Sequence, residues 1–345
     1  MTSKAVAAIL VKSNKDLVID DFDLPNHLSV GNVLVKMISS GICGAQLNEI
    51  SATKGEDKFL PHLLGHEGFG EVIDIGPGVN KVKPGDLVVL HWRPNSGLQT
   101  PVVGLSWQGK KLNAGSVTTF SSRTVVCENR LTRILEFVNP LDAPLYGCSL
   151  TTAMGVLSYE SKLAVGDNLI IGGAGGVGLQ ILLLARQSFL GHIAVVDKDK
   201  SKLELALKLG ADSIIDSSTL ELSKGNSKIH FDLAIDTSGN THLIEYFYTL
   251  VNKTGSIICV GVPNHREKIR INTLPLHFGK SIFGTEGGRI IPERDIPKLM
   301  SFFKSKPDLL NKIPKNVIAL QEINSAIYHM KNGKPGRLLI DFRMK

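Results

Sequence analysis

Two thiols and an imidazole, Cys43, Cys148 and His66, stand among small residues in the segments SGICG, YGCSLTTAMG and GHEG, with Glu67 directly after the histidine. Thiolates and a neutral imidazole are donors that suit zinc, and three such ligands leave a fourth position open for substrate. An ion held in that way polarises a carbonyl oxygen, or lowers the pKa of an alcohol so that hydride can leave. Taken singly, each residue has an ordinary alternative: a buried cysteine packs as a small hydrophobe, and a lone histidine is more often a satisfied structural side chain. Cys127 and Cys259 fall in β-like runs distant in sequence from these segments and are expected to be inert core residues. Four widely spaced cysteines are too few for a disulfide scaffold in a chain of 345 residues.

A second constellation is Gly173-Ala174-Gly175-Gly176-Val177-Gly178, which fits G-x-G-x-x-G. Glycines cluster in turns by chance, so the context decides. This run follows the apolar stretch Asn168 to Ile171 and opens a helical pattern, so bare backbone can approach a pyrophosphate seated at the helix N-terminus. The next strand pattern ends at Asp197, 19 residues beyond Gly178, where a carboxylate accepts hydrogen bonds from ribose hydroxyls and disfavours a 2′-phosphate. NAD is therefore expected over NADP, although Lys198 weakens the preference. The coenzyme set is Gly173, Gly175, Gly176, Val177, Gly178, Asp197 and Lys202. The competing role for Asp197 is capping the helix KSKLELALKLG.

Two kinds of element must position these residues. Up to about residue 150 the chain alternates short β-rich runs (VLVKMISSG, FGEVIDIG, DLVVLHW, TTFSSRTVV) with Gly and Pro punctuation. From about 165, apolar strands (NLIIGG, HIAVVD, SIID, FDLAID, SIICVGV) alternate with helical stretches (GVGLQILLLARQSFL, KSKLELALKLGA, THLIEYFYTLV). That alternation predicts an α/β fold with a doubly wound parallel sheet. After about 284, the helix DIPKLMSFFKSK and a closing strand RLLIDF suit a return to the first domain. The expected division is 1–151 with 285–345 as a β-rich catalytic domain carrying the metal site, and 152–284 as the dinucleotide-binding domain.

Composition narrows the function classes. Hydrophobic content of 43% with 21% charged residues is that of a globular protein. The net charge of +7 is scattered along the chain instead of massed, so no nucleic-acid partner is expected. The absence of a long apolar run predicts no membrane span and a cytoplasmic protein.

With these residues in view, the segment GHEGFGEVIDIGPGVNKVKPGDLVV closely resembles the signature of zinc-containing alcohol dehydrogenases of the medium-chain dehydrogenase/reductase superfamily. SGICG, YGCSLTTAMG and GGAGGVG extend the likeness over nearly the whole chain. The resemblance implies a GroES-like catalytic domain beside a Rossmann domain, and one catalytic zinc on Cys43, His66 and Cys148 with Glu67 as an occasional or exchange ligand. It places Thr152 near the nicotinamide, Arg337 at the coenzyme pyrophosphate and Trp92 in the substrate pocket. An arginine before a final strand can instead snorkel at the surface. The implied activity is hydride transfer between an alcohol or aldehyde and NAD, in a homodimer or homotetramer joined edge to edge through the nucleotide-binding sheet.

Three positions depart from the family pattern. Ala45 replaces the Ser or Thr whose hydroxyl relays the alcohol proton, Gln46 replaces the Asp that orients the zinc-bound histidine, and Asn48 replaces a relay histidine. Glu49 and His91 are nearby in sequence and could serve instead, although Glu49 is more readily a solvated surface charge and His91 can simply end a strand. The stretch 93–115 contains no cysteine, so no structural zinc is expected. Its polar KKLNAGS segment and Arg93 favour a polyol or sugar-like alcohol. Altered proton handling keeps open an NAD-recycling lyase, epimerase or dehydratase, and a non-catalytic NAD-binding protein is the third reading.

Overall fold

In the computed structural model, which describes residues 4–135, 138–219, 229–333 and 335–344, the long strand Asn32–Ile42 anchors the first domain. It pairs antiparallel with Glu67–Ile75, Arg123–Cys127 and Arg337–Asp341, so three distant parts of the chain meet on it. Leu87–His91 extends the sheet beyond Glu67–Ile75 in a register that places His91 opposite Glu67. A smaller antiparallel sheet includes Lys4–Leu10, Val18–Asp23 and His62–Leu63. Helix α1 (Gly44–Ile50) starts where the long strand ends.

Past Cys148 the chain enters α2 (Ser149–Gly155) and then the second sheet. All its neighbours pair parallel, in the order Ser213–Asp216, Ile193–Asp197, Leu169–Gly172, Phe231–Asp236, Val251–Cys259, Ser281–Gly284. Leu169–Gly172 is buried along its whole length, as an unbroken apolar run at the centre of a sheet covered on both faces must be. Strand order reverses direction at this strand, which opens a crevice at the carboxyl ends of the strands. Helices α3 (Gly176–Ala185), α4 (Lys200–Lys208) and α5 (Thr241–Leu250) cross between strands.

The chain then returns in two steps. Helix α6 (Pro292–Lys304) packs Ile296, Leu299 and Phe303 into the cluster that holds Leu150, Leu179 and Leu182 together with Phe69 and Val89 of the first sheet. After α7 (Ile323–Lys331), the closing strand Arg337–Asp341 rejoins the first sheet between Asn32–Ile42 and Lys315–Ile318. Helix α6 begins earlier than its apolar pattern suggests, because Pro292 fits a first helical turn and Glu293 and Asp295 complement the positive helix end.

Candidate metal and coenzyme site

Cys43 stands between the end of the long strand and the start of α1, and Cys148 is the residue before α2, so each thiol sits at a strand-to-helix or turn-to-helix junction. Gly147 packs tightly on the Leu90 carbonyl and the Glu67 backbone, drawing the start of α2 against the strand that begins at Glu67. The result is that ligand atoms of Cys43, His66 and Cys148 lie within 4.8 Å of one another. Nε2 of His66 is buried and has no hydrogen-bond partner, a costly state for a polar atom unless something binds there. Two sulfurs and one unpartnered imidazole nitrogen fit a catalytic zinc.

The thiols behave as a pair. Hydrogen bonding from Cys148, aided by His66, draws Cys43 down toward the thiolate, while the same bond pushes the Cys148 thiol up. Burial opposes charging of His66, but the facing Cys43, with Glu67 and Glu49, outweighs it and raises the imidazole.

Gln46 reaches His66, its amide nitrogen 2.6 Å from Nδ1. The amide oxygen, however, accepts the Cys43 backbone N–H at 3.0 Å, so it is not the group turned to the ring. The amide nitrogen is thus the group turned to Nδ1, and no acceptor of Gln46 faces the imidazole.

Glu67 is not in the ligand cluster. It is fully buried, one oxygen is paired with Arg337 and the other has no partner. Burial raises its pKa against the attraction of the guanidinium. Arg337 is only 3% exposed, which excludes the surface-snorkelling alternative. Its guanidinium lies against Gly176, where a methyl would overlap Nη1. One side chain thus touches both the carboxylate beside the metal ligands and the coenzyme loop. Nothing local in the sequence signals this pair across 270 residues.

Thr152 is buried one helical turn from Cys148, whose carbonyl accepts its backbone N–H at 2.9 Å. Trp92, half-buried, packs its ring on Gly287 of the segment following the parallel sheet. Ala45 is exposed on α1. His91 is no proton relay: Nδ1 is 2.7 Å from the Arg93 carbonyl, Nε2 is 3.0 Å from the Thr132 hydroxyl, and burial lowers its pKa to about 4. Arg93 is likewise engaged, by the Glu286 and Ile290 carbonyls and the Glu286 carboxylate, and carries no weight for a polyol.

In the coenzyme loop, Gly173 has φ +89°, and a methyl on Gly178 would overlap the Gly173 carbonyl oxygen. Gly175 faces open space, leaving a backbone cradle at the start of α3. Val177 packs partly buried behind it. Asp197 accepts the Ala174 N–H at 2.7 Å and the Asp199 N–H at 3.0 Å, fixing the loop to the next strand. It does not cap α4; Asp199 does, accepting from the Ser201 and Lys202 N–H groups. Lys202 therefore stands half-buried in the first turn of α4. Sequence reading missed Thr237, whose hydroxyl donates to the Gly172 and Gly173 carbonyls from across the switch point.

Residues 29–134 match the alcohol dehydrogenase GroES-like domain, and residues 176–305 match the zinc-binding dehydrogenase domain. The chain belongs to the zinc-containing alcohol dehydrogenases of the medium-chain dehydrogenase/reductase superfamily. Among relatives, this alcohol dehydrogenase is 27% identical to S-(hydroxymethyl)glutathione dehydrogenase of Escherichia coli O1:K1 / APEC, over 98% of this chain and 100% of that one. It is 26% identical to NDMA-dependent alcohol dehydrogenase of Amycolatopsis methanolica, over 96% and 97%. Its fold matches the crystal structure of benzyl alcohol dehydrogenase from Acinetobacter calcoaceticus with a TM-score of 0.87, at 24% identity over 98% and 99%. No helix among the described residues is long and apolar enough to cross a membrane.

Proposed function

We propose that this alcohol dehydrogenase oxidises a small alcohol to an aldehyde or ketone with NAD, in the cleft between Cys43, His66, Cys148 and the glycine loop. The observation that carries the reading is the convergence of two thiols and the unpartnered His66 Nε2 beside Arg337, which reaches from Glu67 to Gly176. When bound, zinc supplies a Lewis acid for the substrate oxygen and NAD supplies the hydride acceptor. Cys43, His66 and Cys148 would hold the ion. Glu67, tied to Arg337, stays beside it as an exchange ligand, while Arg337 also steadies the loop that faces the pyrophosphate. Asp197 retains free lone pairs for ribose hydroxyls, with Lys202 beside them. Thr152, one turn from Cys148, orients the nicotinamide ring, and Trp92 and Ala45 border the substrate.

We assign residues 1–151 and 285–345 to the catalytic domain and 152–284 to the coenzyme domain, and place the protein in the cytoplasm. A homodimer, or a tetramer of such dimers, is supported by Ser281–Gly284, which stands at the edge of the parallel sheet among the described residues, and by the exposed Leu274 and Phe278 that precede it. The test is purified zinc-loaded protein with NAD and a panel of simple alcohols, polyols and S-(hydroxymethyl)glutathione, followed by NADH absorbance. NADH should accumulate one-for-one with carbonyl product, and Cys43→Ala should abolish it. Turnover without net NADH would favour internal coenzyme recycling, and full activity after metal removal would contradict the reading.

A further inference from the structure

Behind the strand that begins with Arg337 lies a pocket of about 310 Å³, lined by none of the metal or coenzyme residues. Ile318, Ala326, Met330 and Leu338 give it an apolar lining, and all four belong to the cluster around Leu320 and Ile323. Ser325 and His329, one turn apart on α7, and Glu322, one turn earlier, add polar groups along the helix side. Glu322 is the carboxylate of the lining. One of its oxygens accepts the Ala319 N–H at 2.9 Å, which leaves the group acceptor sites for a second donor. Asn316 and Gly336 stand on the strand side, and that side leads to the coenzyme. The Asn316 amide donates to the Pro335 carbonyl at 3.0 Å, and the Arg337 N–H donates to the Pro314 carbonyl at 2.8 Å. Gly336, at φ +98°, packs on that same Pro314 carbonyl with no room for a side chain. Arg337 then reaches Gly176, while Gly333 lies against the Asp199 carboxylate at the start of α4. The pocket and the coenzyme domain thus share Gly336 and Arg337 as a common boundary.

We propose that this pocket binds a small organic cation, an ammonium on a short apolar body, and that its occupancy tightens NAD binding. The lining selects that class. Its apolar side chains take the body, and the Glu322 carboxylate, with Asn316 Oδ1 and the Ser325 hydroxyl, accepts from the ammonium. An anion would meet the Glu322 charge, and a neutral amide would lack the charge-assisted bond. The space stands at the lower end of the roughly 300–1,000 Å³ typical of ligand sites, so the occupant is small. A ligand that fits the pocket as it stands favours the arrangement in which Gly336 and Arg337 keep their places against the coenzyme domain. It therefore adds to NAD affinity, and NAD must tighten the cation by the same factor. Binding at this pocket goes beyond the alcohol-oxidising reading and does not depend on it.

The test is calorimetric titration of zinc-loaded protein with hexylamine, hexanamide and hexanoate, with and without NAD. Hexylamine should bind with a Kd of about 1 mM, the other two about tenfold more weakly or worse, and saturating NAD should tighten hexylamine about fivefold. Glu322→Gln, which keeps an oxygen for the Ala319 N–H, should weaken hexylamine about tenfold. Ser325→Trp, which fills the pocket from an exposed position on α7, should abolish its binding. Both variants should bind NAD alone and oxidise alcohol as wild type does. Hexylamine held equally by wild type and both variants has gone to another site, such as the metal, and overturns the proposal. Absence of hexylamine binding, hexanoate bound as tightly as the amine, or amine binding without effect on NAD would each overturn it as well. The expected pattern in a protein that oxidises no alcohol would contradict the proposed function and leave the pocket assignment standing.

Discussion

Gln46 has one acceptor oxygen where two donors need it. When His66 offers Nε2 to a cation, its remaining proton sits on Nδ1, and the amide must turn its oxygen from the Cys43 N–H to meet it. Gln46→Glu, with two acceptor oxygens, should bind zinc roughly tenfold more tightly, as outer-sphere partners of this kind do; competition with a chelator measures it. Arg337 makes the opposite point. Replacing it with Met leaves Glu67 buried and uncompensated, and should cost about 3–5 kcal/mol of stability in denaturant titrations. His91 gives a pH signature. Its folded pKa of about 4 lies below the ordinary 6.5, so the unfolded chain takes the proton first, and stability falls as pH drops from 6.5 to 4, by about 3 kcal/mol. His91→Asn should remove that slope. The ligand types and their glycine surroundings were legible in the sequence because zinc constrains donor chemistry. The Glu67–Arg337 pair was not, because it is made by tertiary contact between strands 270 residues apart.

At the level of elements, the glycine loop was readable because each feature is local: a strand, a turn needing positive φ, and a helix packed too closely for a side chain. Gly178→Ala should therefore abolish NAD binding measured by calorimetry, through the clash with Gly173, without removing zinc. Asp197 and Asp199 show the limit of such reading. Two acids two residues apart both suit a helix start, and only the backbone conformation selects Asp199 as the cap. The stretch 93–115, which has no cysteine, is organised in part by a buried acid instead of a metal. Glu128 accepts the Asn80, Lys81 and Leu98 N–H groups at 2.7, 2.9 and 2.9 Å. Burial would raise this carboxyl, but the three donors win and lower it. Its contribution is present above the ordinary carboxylate pKa and is lost as pH falls through the folded value. Glu128→Gln should cost about 1–3 kcal/mol with zinc retained.

Across the whole molecule, the two halves are joined by polar contacts that no single segment announces. The His265 ring nitrogen Nδ1 is 2.9 Å from the Thr53 carbonyl, and Lys81 and Ser96 bind Glu293. The sequence specified both halves through their different periodicities, but these contacts depend on how the halves dock. The path of the chain into α6 and back through Arg337–Asp341 shows why docking matters for chemistry: the residue that begins the last strand completes the charge balance of the metal site. The most direct measurement of the central claim is zinc-edge X-ray absorption on protein purified with zinc and tested for one ion per chain. A first shell of two sulfurs and one imidazole nitrogen, with a sulfur lost in both Cys43→Ala and Cys148→Ala, is the expected result. A shell of oxygens alone, or one unaffected by either substitution, would contradict it.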